Sequence, residues 1–330
     1  MKRIIAAGAL ALALSAPVAI EAKEKPPIEV KDKGALQGAS QIAVVAFNIG
    51  FIFESIDATA ATGGMLGAFG GTTKAKSELV GVTPEMMQQI ADAAYGDFVS
   101  RLSAAGFAVA DPSAVFNDAG FAKVKGVDTP AEINIALEKK SKGKAVYYKP
   151  SQLPIQVLVP GDFTGSGMSS MGLNMTAGQN SYQLATYAKG AATPVIDVTY
   201  LIDFSDQKRP GAFSFGGLKV NANLSVVPGF SQVTVIGANG KTNTVSFGQP
   251  VSVDGDFIEV ADASSGTEKT TQAAANVAGG VAAALGFGGL RFGKTRKFQF
   301  TAKLGNYEEG AGKAASLANE MVVGALQAQQ

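Results

Sequence analysis

Neither cysteine nor histidine occurs among the 330 residues. Without cysteine there is no disulfide, no thiolate nucleophile, no cysteine metal site and no lipid-anchoring thiol. Without histidine there is no Ser-His-Asp or Cys-His system, no imidazole acid or base and no ordinary zinc site. An enzyme made from this chain has Asp, Glu, Lys, Ser and Tyr to work with. Charge of one sign is also lacking: 28 basic and 27 acidic residues leave a net charge of +1. That balance gives no electrostatic case for a nucleic-acid partner. After the amino terminus no segment reaches 18 uninterrupted apolar residues, so no transmembrane anchor is expected.

The chain opens "MKRIIAAGALALALSAPVAIEAKEK". Lys2 and Arg3 precede an apolar run, Ile4 to Leu14, and small residues follow, which is the layout of a secretory signal peptide. At about 1.5 Å per residue the run spans roughly 16 Å as a helix, half of a hydrocarbon core of about 30 Å. It is too short to stay as an anchor, and cleavage is expected after Ala22, with Ala19 as the alternative. Export implies a periplasmic or secreted protein without lipidation, for which a lack of disulfides is ordinary in a bacterial periplasm. Losing residues 1–22 removes Lys2, Arg3 and Glu21 and leaves 26 basic and 26 acidic residues. With 46% hydrophobic residues, the mature chain can bury one large core or two smaller ones.

Residues 23–40 are rich in Lys, Glu and Pro and read as a linker. "QIAVVAFNIGF" is a continuous apolar run of the kind buried on both faces of a sheet. Residues 57–82 are Gly, Ala and Thr with little periodicity and read as a long loop. Thr83 and Pro84 then open a helix to about Ala105 with Ile90, Ala94, Phe98 and Leu102 on one face, ended by Gly106. "FAVAD" reads as a strand, Thr129-Pro130 as the start of a second helix, and "AVYY" and "IQVLV" as strands. This alternation predicts an α/β part over 41–160.

The Gly/Ser/Met-rich stretch 161–180 reads as a hinge or loop, and the remainder, 181–330, follows a two-residue period. "TPVIDVTYLIDF", "LKVNANLSV" and "KFQFTAKL" predict strands. Asn239-Gly240 and Asp254-Gly255 are hairpin signals. A final amphipathic helix spans about 306–327. The predicted fold class is α+β, with an α/β-like first half and, in the second, an antiparallel sheet covered by the carboxy-terminal helix.

"GGLRFGKT", residues 288–295, fits the phosphate-loop pattern G-x-x-x-x-G-K-[ST] at every constrained position. Such a loop leaves a strand and enters a helix, whose first amides hold the anion. Here an Ala-rich, helix-like stretch precedes it and a strand-like stretch follows, so no nucleotide and no cofactor is expected. The same region gathers Arg291, Lys294, Arg296 and Lys297 beside Phe292, a patch suited to anionic lipid or cell-wall polymer.

Met168, Met171 and Met175 fall at the spacing of one helical face. Thioether sulfur suits Cu(I), but the intervening Ser and Gly favour packing or a greasy loop, and no metal is expected. Asp254, Asp256, Glu259 and Asp262 match no calcium loop. Glu54, Asp57, Asp197 and Asp203 stand in or after strands, where two of them facing each other across a cleft would suit a glycan hydrolase.

The run Val44 to Phe47, followed by a helix ending in Leu102, Gly106 and Phe107, resembles the start of envelope proteins of the curli-secretion-channel and TolB amino-terminal-domain type. The resemblance covers about a quarter of the chain and implies an envelope accessory or assembly role. It transfers no functional residues. The expected function is therefore a non-enzymatic binding or assembly module of the cell envelope. Its partner would be an envelope protein or a cell-wall or lipid surface, met through Met65, Leu66 and Phe69, through Met168 and Met171, and through Arg291 and Lys294. The alternatives are a carboxylate-dependent hydrolase and a membrane-inserting or pore-forming protein.

Overall fold

A computed structural model describes residues 25–60, 72–137, 141–162, 170–208, 219–264 and 293–329. The signal-peptide expectation and the expected contact residues Met65, Leu66, Phe69, Met168 and Arg291 lie outside them.

Two strands carry the fold. β2 (Gln41–Ala60) and β7 (Val195–Lys208) run parallel, paired from Ala43 with Val195 to Phe51 with Ile202, with a one-residue shift at Val45. Apart from Asn48, Asp197 and Thr199, both are apolar through this stretch because both faces are covered. β9 (Gln232–Ile236), β10 (Thr242–Phe247) and β1 (Ile28–Lys31) extend the sheet antiparallel on the far side of β7. The β9–β10 hairpin turns through Asn239-Gly240, with Gly240 at φ 81°, as its sequence predicts.

β1 corrects the expected linker at 23–40. Ile28 and Val30 pack against the core, Ala35 and Leu36 are buried, and the Ala35 amide donates to Asn243 Oδ1 at 3.1 Å.

The other edge of β2 pairs with β4 (Ala108–Val109) and β6 (Lys142–Tyr148), and β6 pairs with β5 (Ala131–Ile135). β5 replaces the helix expected after Thr129-Pro130. Ala131, Ile133 and Ile135 are buried while Glu132 and Asn134 are exposed, a two-residue period that the Thr-Pro start signal overshadowed. "IQVLV" makes a single bridge, Gln156 with Val127, rather than a strand.

Past Ile52 and Ile202 the two long strands part. β3 (Thr72–Val80) takes over the edge of β2 that β7 held, followed by β13 (Gly293–Ala302), parallel to β3, and β12 (Ile258–Asp262). β7 instead pairs with β8 (Lys219–Val226), which pairs with β11 (Val251–Val253). Phe204 of β7 and Phe300 of β13 bring the two wings together, with ring centroids 4.8 Å apart.

The ends of the expected loop at 57–82 are therefore strand. Ala75, Ser77 and Leu79 are buried between Lys74, Lys76 and Glu78, an alternation muted by the weak hydrophobicity of Ala and Ser. β11 and β12 flank Asp254-Gly255 yet join different neighbours, so that dipeptide does not close a hairpin. Because β2 and β7 are parallel and β3, β8 and β13 return from their far ends, residues 61–71, 209–218 and 265–292 connect strand ends at the same pole of the sheet.

Helices cover both faces. On one face lie α1 (Pro84–Ala104) and, packed on it, the carboxy-terminal helix, here α4 (Asn306–Gln327); the short α2 (Pro112–Phe116) and α3 (Met171–Gly190) lie on the other. α1 has the predicted cap and face: Thr83 Oγ1 accepts the Met86 amide at 3.3 Å, and Ile90, Ala94, Phe98 and Leu102 are buried. It ends in a Schellman motif, with Phe107 N donating to Leu102 O and Gly106 N to Ser103 O, Gly106 at φ 94°. α4 buries an alanine-rich stripe, Ala311, Ala314, Ala315 and Ala318, and meets α1 where Asn319 bonds Ala94 and Asp97 and Arg101 bonds Ser316. The architecture is a mixed sheet with helical layers, of the predicted α+β class.

Candidate functional site

The strands place a polar cluster on the sheet face that α3 covers. Register puts Asn48, Thr199 and Gln232 in one row across β2, β7 and β9, and Ala46, Asp197 and Thr234 in the next row of that face. Over these rows runs a buried strap, Val157, Leu158 and Val159. Asn48 Nδ2 donates to Val157 O at 3.0 Å, and Asn180 Nδ2 of α3 donates to Leu158 O at 3.2 Å. The strap closes in a tight turn in which Asp162 Oδ2 accepts the Val159 amide at 2.5 Å. Gly161 in that turn has φ 100°, a conformation that favours glycine, and a Cβ there would displace the Gln232 side-chain amide.

This turn delivers Asp162 to Asp197. Both are sealed, each 2% exposed. Burial pushes Asp162 up to about 6, against hydrogen bonds from Asp197, Thr199 and Gln232 that favour its ionised form. Burial raises Asp197 well above the usual carboxylate range, and the neighbouring Asp162 charge raises it further. Two carboxylates cannot hydrogen-bond to each other without a proton between them. When both are ionised, Asp197 Oδ1 and Oδ2 and Asp162 Oδ1 accept no hydrogen bond, and the same holds for Asn48 Oδ1 and Gln156 Oε1. Unpaired buried acceptors are costly, about 1–3 kcal/mol each for neutral groups and more for charged ones.

Sequence reasoning reached Asp197 but not Asp162, Asn48 or Thr199. The available signal was polar residues inside apolar strands: Asn48 in "AVVAFNIGF", and Asp197 and Thr199 in "VIDVTYLIDF". Asp162 carried no local mark, since only the fold brings it to β7.

The pair does not form the open cleft a glycan hydrolase needs, because both carboxyl groups are sealed from solvent. Of the other candidate acids, Asp203 accepts the Phe204 and Ser205 amides of its own strand at 2.7 and 3.2 Å. Asp256 pairs with Lys303 at 2.5 Å, and Glu259 and Asp262 stand exposed on β12. Among the described residues, no group of three or more acidic side chains gathers at one point.

Gly293, Lys294 and Thr295 of the phosphate-loop pattern lie in β13, paired with Thr72, Thr73 and Lys74 of β3. The lysine and threonine of the pattern thus stand in a strand and not at the start of a helix. Lys297 is exposed on β13, in register with Lys76.

Met171 opens α3, where a hinge was expected. Met171 and Met175 are each 65% exposed and Tyr182 is 71% exposed. With Gly178 they form a stripe at i, i+4, i+7 and i+11, opposite the buried Ala177, Asn180, Leu184 and Tyr187. Of the expected packing or greasy loop, neither describes these two methionines: they stand exposed on a helix whose buried face Asn180, Leu184 and Tyr187 supply. In the 20 residues of α3, Lys189 is the one charged side chain. No helix among the described residues is long and apolar enough to cross a membrane. Comparison of the chain with protein-family models, curated proteins and solved structures finds no match.

Proposed function

We propose that this chain is an exported, non-enzymatic module of the cell envelope that binds another envelope protein through the outer face of α3. The observation that carries the reading is the stripe of Met171, Met175 and Tyr182 on a helix almost free of charge. Protein interfaces are depleted of charge at their centres and enriched in Met and Tyr. A methionine surface also adapts to the shape it meets. A polyanionic wall polymer or anionic lipid would instead call for cations, and α3 offers Lys189 alone at its far end. Photo-crosslinking from position 175 or 182 in intact envelopes tests this: a single protein adduct is expected, and none from Lys313 on the exposed side of α4.

A second reading, membrane insertion, is favoured by one observation. The connections 61–71, 209–218 and 265–292 join strand ends at a single pole, and the sequence there includes the Gly/Ala-rich stretches 59–71 and 273–290. Leakage from dye-loaded liposomes, lost when 61–71 is shortened, is the result that reading requires.

A further inference from the structure

We propose that the outer face of β6, β2, β3 and β13, at the pole toward which β2, β7 and β12 run, lies against a bilayer surface of anionic headgroups.

Strand register draws this face. Lys142 of β6, Ile56 of β2, Lys76 of β3 and Lys297 of β13 stand in one row across four neighbouring strands. Lys74 stands two residues nearer the pole on the same face, beside Thr295. At about 4.8 Å per strand and about 6.8 Å per two residues, the four lysines fall within roughly 15 Å of one another. Lys74, Lys142 and Lys297 are exposed and Lys76 is half-buried, while Ala75, Ser77 and Leu79, alternating with the β3 lysines, take the buried side.

The acids of this face lie behind the row. Glu54 and Glu78 are one row further from the pole, next to Lys144, which pairs with Glu132 at 3.3 Å. Register brings four more cations to the polar end: Lys294 and Arg296 on β13, and Lys208 of β7 opposite Lys219 of β8. Against these stand Asp57, Asp206 and Asp262. Beyond the other end of β12 and β13 the sign reverses, with Asp254, Asp256, Glu308 and Glu309, and there Lys303 and Lys313 are paired to Asp256 and Glu309.

Ammonium groups this close repel one another, and a facing layer of anions offsets that repulsion. The lysines are spread over an open sheet face and converge on no buried point, which suits many headgroups in a plane and not one bound ion. A chain of net charge +1 gains no attraction to anions as a whole. With its cations collected at one pole, it is turned so that this pole meets an anionic surface within a Debye length, about 10 Å. The sequence could not show the row, because Lys76, Lys142 and Lys297 come from three distant strands. The inference is independent of the partner reading of α3, and it requires contact with the bilayer and no insertion.

The test is cosedimentation of the mature chain with vesicles of phosphatidylcholine, alone or with about 30% phosphatidylglycerol. Binding is expected to the anionic vesicles only, weakening about tenfold or more between about 20 and about 200 mM NaCl. Lys74→Gln, Lys76→Gln and Lys142→Gln combined should weaken it about thirtyfold or more, at about fivefold per lysine. Lys313→Gln should leave it unchanged. If circular dichroism shows the triple variant misfolded, Lys74→Gln with Lys142→Gln serves in its place and should weaken binding about tenfold or more. No binding to anionic vesicles, equal binding to neutral ones, or binding that survives the substitutions overturns the proposal. Soluble polyphosphate bound as tightly as the vesicles would overturn the choice of a membrane. Dye leakage has no bearing on these outcomes, so the membrane-insertion reading stands or falls separately.

Discussion

Asp162 and Asp197 turn their carboxyl groups toward one another under a strap whose own backbone amide, from Val159, is held by Asp162. The strap's position and the ionisation of the pair are therefore linked. Both groups have folded-state pKa values above that of an unfolded aspartate, Asp162 at about 6. Stability is then fully present below pH 4 and is lost as pH rises through about 6. The groups facing the pair, Asn48, Thr199 and Gln232, are uncharged, and burial and Asp162 raise Tyr147 so that it stays neutral over this range. Tm should fall between pH 4 and 7, and Asp197→Asn should flatten that fall. A Tm that rises over the same interval would contradict the sign.

Asn319 ties the two helices of the opposite face to the sheet. Its Nδ2 donates to Ala94 O and Asp97 Oδ2, each at 2.9 Å, and its Oδ1 accepts from the Tyr200 hydroxyl at 3.0 Å. Asn319→Leu strands the buried Tyr200 phenol and removes the donor that Ala94 O and Asp97 Oδ2 share, so unfolding by denaturant should show a loss of about 2–4 kcal/mol. Tyr200→Phe removes one partner of one bond and should cost about 1–2 kcal/mol. A smaller loss for Asn319→Leu than for Tyr200→Phe would contradict this account.

Gly161→Ala should loosen the strap. The positive φ strains any side chain, and the new methyl would push the Gln232 amide away from the turn. The expected loss is about 1–3 kcal/mol. Limited proteolysis should become faster at 155–165 and stay unchanged at the 238–240 turn.

Lys294 and Thr295 stand in β13, with no helix start to gather amides around phosphate. Mg-ATP at millimolar concentration is expected to leave Tm unchanged. A saturable shift that Lys294→Ala removes would show that strand placement does not disqualify the motif.

Much of the scaffold was legible in the sequence because its signals are local. Thr83-Pro84 and Gly106 bound α1, Asn239-Gly240 bends β9 into β10, and the 3.6-residue period of 306–327 is α4. What was not legible depended on distant partners. "AEINI" is a strand because β6 lies beside it, and "KAKSELV" because β2 and β13 flank it. Asp254-Gly255 looks like a hairpin until β8 and β13 claim its two arms. Residues 171–180 hold Gly172 and Gly178, which weaken helix propensity, and the helix forms because Ala177, Asn180 and Leu184 dock on the strap and sheet. The acid pair was half visible: Asp197 stood out in an apolar strand, and Asp162 did not.

The exposed face of α3 is the feature on which the proposed role rests, and crosslinking with quantitation in intact envelopes examines it most directly. A photoreactive residue at Met175 or Tyr182 should yield one dominant protein adduct, and Met171→Glu in the same chain should cut that adduct at least fivefold. Adducts equally abundant from Lys313, or none from either α3 position while the protein is folded and exported, would contradict the assignment of α3 as the partner surface.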